Sequence, residues 1–295
     1  MKLSRRRFLA ISAASLCASG AQAAPYRWQG FALGAEVSLT LHAPEALALR
    51  ASGLVEARLR RVEDEFSLYD VNSALSRLNA KGRLRRPAPM MQELLALCDT
   101  AHALTDGVFD PSVQSLWSAL TRGTRIAPAQ ASVGWHRVTH DAQMITLGPG
   151  QALTFNGIAQ GFATDLVKSD LQALGLTDLL VNIGEFAALG GPWRLGVSDP
   201  AHGLLTTRTL TDGAIATSSP AALSLGQNQT HILSPGRRPL WSTISVEAKT
   251  AAQADALSTA FCLMRTSEIL ATLEALNDGT RVTLIDAEGD LITLS

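Results

Sequence analysis

Two distant segments carry the residue types of one phosphate-handling site. The first is Thr154-Phe155-Asn156-Gly157-Ile158-Ala159-Gln160-Gly161-Phe162-Ala163-Thr164-Asp165. It reads as a tight glycine turn entering a helix, where backbone amides can meet phosphate oxygens. The second is Ala254-Asp255-Ala256-Leu257-Ser258-Thr259-Ala260. Asp255 and Thr259 stand at i and i+4, so a carboxylate and a hydroxyl share one helix face. Oxygen ligands of that type suit magnesium, and magnesium suits a pyrophosphate. Plainer readings stand beside this one. Asp255 near a helix start is favourable without any ligand, two glycines at a turn alone indicate a loop, and Asp165 reads as a helix-surface acid.

The elements that must position these segments follow from periodicity. Ala35 to Leu41 alternates like a strand. Pro44 to Phe66 reads as a long helix with proline at its start. Lys81 to Pro87 reads as a polar connection, Met90 to Thr105 as a helix stopped by Gly107, and Val113 to Arg122 as a short helix. Trp135 to Val138 and Met144 to Leu147 are expected strands around an Asp141-Ala142 turn. Gly161 to Leu174 is an expected helix closed by Gly175. Leu179–Ile183, Trp193–Val197, Thr207–Leu210, Ala214–Thr217 and Trp241–Glu247 read as strands. Ala251 to Met264 and Ser267 to Leu276 read as helices, and Val282–Asp286 with Asp290–Leu294 as a terminal hairpin across Glu288-Gly289. Strands and helices mix without regular βαβ alternation, which predicts an α+β fold.

The chain opens with Ser4-Arg5-Arg6-Arg7-Phe8-Leu9-Ala10, a short apolar stretch to Leu16, and then Ala21-Gln22-Ala23. This reads as a twin-arginine export signal over residues 1–23 with an Ala-x-Ala cleavage site, so a periplasmic location is expected. Cys17 suggests lipidation, but Leu16 before it fits that poorly. Residues 24–295 then form one domain; removing 23 of 295 residues leaves 272, enough for a full core. The signal holds four of the 25 basic residues and no acid, leaving 21 against 26 acids and a mature net charge of −5. Such a surface does not favour nucleic acid as a partner. Cys98 and Cys262 lie in apolar, helix-like runs and read as buried free thiols rather than a zinc or redox pair.

Further segments, in order, give the chain a family likeness. They are Phe31-Ala32-Leu33-Gly34-Ala35; Phe66-Ser67-Leu68-Tyr69-Asp70 with Ser73 and Leu78-Asn79; Gly107-Val108-Phe109-Asp110-Pro111-Ser112-Val113; Val181-Asn182-Ile183-Gly184-Glu185; Ala214-Ile215-Ala216-Thr217-Ser218; and His231-Ile232-Leu233-Ser234-Pro235. With the two segments above, this set resembles the ApbE family, the FAD:protein FMN transferases. The resemblance implies a single compact T-fold-like domain with a flavin cleft between its layers. It implies magnesium held by Asp255, Thr259 and a backbone carbonyl of the glycine turn, assigned to Gly157. It places Leu33, Tyr69, Val108, Phe109, Asp110, Gln160 and Ile232 against FAD, and offers His231 for a direct catalytic role. The other histidines, His42, His102, His136, His140 and His202, are expected at surface or turn positions. Glu185 is a candidate ligand-facing acid, and Thr217 and Ser218 either bond flavin or end a strand.

The chain departs from the family pattern at Gln160, where a lysine is usual, and at Ser234, where an aspartate is usual. The implied reaction moves FMN from FAD onto a threonine or serine hydroxyl of a partner protein and releases AMP. The alternatives are an FAD pyrophosphatase, with water in place of the hydroxyl, and a non-catalytic flavin carrier or assembly factor. The implied partner is an acceptor flavoprotein, such as a membrane-bound respiratory protein or one serving nitrous-oxide reductase maturation.

Overall fold

The protein, seen in a computed structural model that describes residues 24–226 and 229–295, begins with a hairpin laid down by strict alternation. The expected export signal lies outside the described residues. In Ala35–Leu41 (β2), Ala35, Val37, Leu39 and Leu41 are buried while Glu36 faces solvent, the pattern of a half-buried strand. Tyr26–Ala32 (β1) pairs with β2 antiparallel. The turn falls on Leu33-Gly34, both at positive φ (51° and 78°), the backbone hand that a tight hairpin needs. The segment Phe31–Ala35, one of those that carry the family likeness, therefore straddles a turn.

Arg83–Arg85 (β3), Thr139–His140 (β4) and Met144–Thr146 (β5) form a small separate sheet in the order β3-β5-β4. Two expectations are corrected here. The polar stretch Lys81–Pro87 contains a strand, and Trp135–Arg137 is a helical turn rather than a strand. The cause of the second is Asp110, whose carboxylate accepts the Trp135 amide at 3.0 Å, while Asp99 takes the indole N–H at 2.7 Å. Both bonds come from the side chains of a neighbouring segment, outside any local periodicity.

The main sheet continues with Leu179–Asn182 (β6) and Phe186–Leu189 (β7). Trp193–Asp199 (β8) and Gly203–Leu210 (β9) leave it to pair with each other. Ala214–Ser218 (β10) returns to it, Ser224–Gly226 (β11) and Gln229–Thr230 (β12) form a small hairpin, and Thr243–Ala248 (β13), Arg281–Ile285 (β14) and Leu291–Leu294 (β15) complete it. Its order is β1-β2-β6-β7-β10-β13-β14-β15, antiparallel throughout. Trp193, Leu195 and Val197 of the β8–β9 ribbon share a buried cluster with Phe186, Ile215 and Ile285 of the sheet.

Eight helices are described: Glu45–Phe66 (α1), Ala74–Lys81 (α2), Pro89–Leu104 (α3), Gln114–Arg122 (α4), Ile126–Ser132 (α5), Ala159–Ala173 (α6), Ala251–Phe261 (α7) and Thr266–Leu276 (α8). Helix α7 packs on β10 and β13, α6 packs on β7 and α7, and α1 packs on α6. Phe66 at the end of α1 meets Phe155 and Phe162 edge-on, at centroid distances of 5.7 and 6.1 Å. Such pairs add about 0.5–1.5 kcal/mol each beyond burial, and here they pin both ends of the glycine turn to α1. The fold is α+β. Among the described residues no helix is long and apolar enough to cross a membrane.

Candidate functional site

The glycine turn and the helix carrying Asp255 meet at two points of close approach. A Cβ at Gly157 would stand 2.9 Å from Thr259 Oγ1. A Cβ at Gly161 would stand 2.2 Å from the Ala251 carbonyl oxygen and 2.8 Å from Ala252 Cα, distances that only glycine permits. The Gly161 amide donates to Asp255 Oδ2 at 3.0 Å. Gly161 lies in the first turn of α6, whose amides lack partners inside the helix, so Asp255 satisfies one of them from the neighbouring helix. Asp255 is 3% exposed, which corrects any picture of it as a solvated acid on its own helix. Its carboxyl is pushed up to about 7, by burial above all; the Gly161 amide opposes this and the Asp165 charge adds to it.

Further acids and hydroxyls complete this layer. Glu185, in the β6–β7 turn, accepts the Thr217 amide at 3.1 Å on Oε2, at the point where β10 runs past its last partner on β7. Burial first, and the Asp255 charge second, hold Glu185 well above the usual carboxylate range, against the Thr217 amide. Ser218 Oγ lies 2.8 Å from Ser258 Oγ and 3.4 Å from Thr259 Oγ1. Thr217 Oγ1 donates to Ser245 Oγ at 3.0 Å, so these two residues of β10 fasten it to α7 and β13. Asp165, expected on the helix surface, instead accepts the Ala251 and Ala252 amides at 2.9 Å each. Gln160 packs its amide group on the Gly184 backbone, where a Cβ would stand 2.5 Å from Nε2.

The other expected site residues fall into separate groups. Val108 and Asp110 line a cleft of about 370 Å³ with His102, His136, Ser234 and Arg237. The Phe109 ring is buried in the main core; its amide donates to Thr105 Oγ1 at 3.0 Å and its carbonyl faces His102 Nδ1 at 2.8 Å. This loop joins the glycine turn directly, because the Thr154 amide donates to the Pro111 carbonyl at 2.8 Å. Leu33 and Tyr69 lie near the last turn of α1: the Leu33 amide donates to Glu63 Oε1 at 2.9 Å, and Tyr69, three residues past Phe66, is 78% exposed. His231 is half-buried with Nδ1 3.3 Å from the Leu223 carbonyl, and Ile232 is buried in the core.

Ser67, Ser73 and Asn79, all in the family-like motif, are structural clamps. Ser73 caps α2 through the Ser76 amide and donates to the Ser67 carbonyl. Asn79 then takes the Leu153 amide at 2.7 Å and gives to the Leu153 carbonyl at 2.8 Å. The motif is thus a chain of clamps from the Tyr69 loop to the extended segment ahead of Gly157. The histidines expected at surface or turn positions divide. His136 and His202 are exposed, whereas His42 and His140 are half-buried and lie 3.0 Å from Asp178 and Asp99.

A divalent cation fits the first group. Asp255 gives one oxygen to Gly161 and keeps Oδ1 without a protein donor among the described residues, and Thr259 Oγ1 stands beside the Gly157 backbone. Among the described residues no group of three or more His, Cys, Asp or Glu side chains is arranged to hold a metal. The donor set is therefore one carboxylate with neutral oxygens, which suits magnesium completing its shell with waters and substrate phosphates.

Residues 33–284 match the ApbE family, and the chain belongs to it. An FAD:protein FMN transferase of Vibrio cholerae is 26% identical over 251 residues, covering 75% of this chain and 75% of its own. One from Haemophilus influenzae is 25% identical over 262 residues, covering 76% and 75%. The apo flavinyl transferase ApbE of Pseudomonas stutzeri superposes with a TM-score of 0.78 at 25% identity, covering 92% of this chain and 94% of its own. The ApbE protein of Thermotoga maritima has the same fold, with a TM-score of 0.81 at 23% identity over 91% and 96%.

Proposed function

We propose that this member of the ApbE family is an FAD:protein FMN transferase that modifies a threonine or serine of a partner protein and needs magnesium. The observation that carries the reading is the seating of Gly157 against Thr259 with Asp255 bonded to the Gly161 amide, on a scaffold shared with flavin transferases.

In the proposed reaction the acceptor hydroxyl oxygen attacks the FMN-side phosphorus of FAD. The bond from that phosphorus to the bridging oxygen breaks, AMP leaves, and FMN remains as a phosphoester on the acceptor. Asp255, Thr259 and the Gly157 carbonyl would hold magnesium, which neutralises and orients a pyrophosphate. The α6 N-terminus adds its dipole toward the same phosphates. Val108 and Asp110 line the cleft offered to the rest of FAD, with Leu33 and Tyr69 supplying apolar contact. His231 is the proposed base. A carbonyl can only accept, so the Nδ1 that faces Leu223 O carries a proton.

The purified mature chain, given FAD and magnesium chloride, is assayed for AMP and free FMN, and then with membranes of its own host for flavin fluorescence that survives denaturing electrophoresis. Flavin bound to a membrane protein together with AMP is the expected result. Free FMN alone would make the protein a pyrophosphatase, and FAD binding without AMP a carrier. Export is part of the proposal, resting on the Arg5-Arg6 pair and the Ala-x-Ala site. Replacing both arginines with lysine should hold the precursor in the cytoplasm, and normal periplasmic levels of that variant would refute it.

A further inference from the structure

The contact between α6 and α7 is reciprocal. Asp255 of α7 accepts an amide of the first turn of α6, from Gly161. Asp165 of α6 accepts the first two amides of α7, from Ala251 and Ala252, at 2.9 Å each. Asp165 and Gly161 are four residues apart, as are Ala251 and Asp255, so each pair lies on one helix face. Between them sits the Gly161 approach, where a Cβ would overlap the Ala251 carbonyl. The other early amides of α7 are satisfied within the segment: Gln253 by Thr250 Oγ1 and Ala254 by the Thr250 carbonyl. Asp165 is therefore the side chain from outside α7 that grips its N-terminus.

We infer that Asp165 is a positioning residue for the metal site: its double bond to the start of α7 sets the register in which Asp255 reaches Gly161 with one oxygen and presents the other. The inference rests on the magnesium reading above. It differs from a general packing role, because a slip of α7 along α6 would leave the core covered while moving Asp255 and Thr259 together relative to Gly157. Apolar packing resists a helix slip of this kind weakly, and two charge-assisted bonds to consecutive amides add the direction that it lacks.

The test compares Asp165→Ala, Asp165→Asn and Asp255→Ala with Asp170→Ala. Asp170 is on the same helix and holds Arg58 through two bonds of 2.6 and 2.7 Å, so its loss costs stability away from the contact. Manganese(II) serves as the probe, with free ion counted by electron paramagnetic resonance, and amide exchange is followed at Gly161. Removing a partner that orients a metal ligand typically weakens metal binding by about 10–100-fold. Asp165→Ala should do so and speed exchange at Gly161. Asp165→Asn, keeping one acceptor, should fall between it and the parent protein, and Asp170→Ala should change neither readout while lowering the melting temperature. Unchanged exchange at Gly161 in Asp165→Ala, or metal binding weakened no more than in Asp170→Ala, would overturn the inference while loss of binding in Asp255→Ala kept the metal site. Equal binding in all variants, Asp255→Ala included, would overturn the metal site and the inference with it.

Discussion

Gly161→Ala and Gly53→Ala make the same chemical change in two helices and should have opposite effects. Gly53 lies in α1 with nothing within 4 Å of an added Cβ, and alanine there should stabilise by about 0.5–1 kcal/mol through helix propensity. Gly161 would gain a similar propensity term, but its Cβ would stand 2.2 Å from the Ala251 carbonyl oxygen and 2.5 Å from the carbonyl carbon. Backbone cannot rotate away as a flexible side chain can, so α6 and α7 must part. Overpacking of this kind costs about 1–3 kcal/mol. Parting also stretches the bond from the Gly161 amide to the buried Asp255 carboxyl, a contact worth about 1.5–3 kcal/mol when charged. The net destabilisation is about 2–4 kcal/mol. At roughly 2–4 °C per kcal/mol for a domain of this size, the melting temperature should fall by roughly 5–15 °C, against a small rise for Gly53→Ala. Thermal unfolding by circular dichroism reads both, and half-saturating magnesium for AMP release reads the site. If Gly161→Ala matches or exceeds the parent in stability and keeps its magnesium response, the close approach of the two helices is not what holds Asp255.

Gln160→Lys should tighten FAD binding several-fold and make it salt-sensitive, because a charged donor to phosphate adds about 1 kcal/mol over a neutral one; equal affinities at two salt concentrations would mean that residue 160 stays on Gly184 and off the phosphates. Cys98 and Cys262 are both free and buried, and burial pushes both thiols up. A disulfide-exchange reagent should label neither in the native protein and both in urea, and fast native labelling of either would contradict its burial. Arg237 holds Glu268 down to about 2, helped by the Arg265 amide. A depressed carboxyl stabilises the fold above its unfolded value and loses that contribution as pH falls toward the folded one. Glu268→Gln should therefore flatten the melting-temperature profile between about pH 4.5 and 2, and an unchanged acid slope would dismiss the pair as a stabilising contact.

Much of this was legible in the chain, for reasons that differ by element. The alternation of β2 and the run from Pro44 to Phe66 are local signals; the structure has the strand at those bounds and the helix over Glu45–Phe66, with Pro44 at its N-cap. The strands β3 and β7 were missed because each is three or four residues long and lacks a period to read. Helix α2 was missed too, although its cap, Ser73, stood in a quoted motif. Burial misled most where polar residues have distant partners. Asp165 looks like a surface acid because its partners lie 86 and 87 residues away. Phe109 looks like a ligand wall by its motif, yet its ring is core and only its neighbours Val108 and Asp110 reach the cleft.

The site residues show why spacing alone stops short. Gly161 and Asp165 form one i, i+4 pair, Asp255 and Thr259 another, and each is visible within its own helix. What turns the two pairs into a site is their relative height, and no periodicity encodes that. The Phe66–Phe155–Phe162 contacts fix α6 and the glycine turn against α1, and the inferred setter of α7 is its bond from Asp165. The aromatic contacts are apolar and tolerate small slips, whereas the carboxylate bonds depend on angle and distance. The acids therefore do two jobs that the sequence cannot separate: Asp165 spends both oxygens on α7, and Asp255 spends one on α6. In the proposed site, the same residue type at the same kind of helix contact serves as anchor or as ligand according to how many of its oxygens the fold leaves over. A charge-preserving exchange such as Asp255→Glu should accordingly fail at the site even if it folds, because the extra methylene moves the presented oxygen while Gly161 still claims the other.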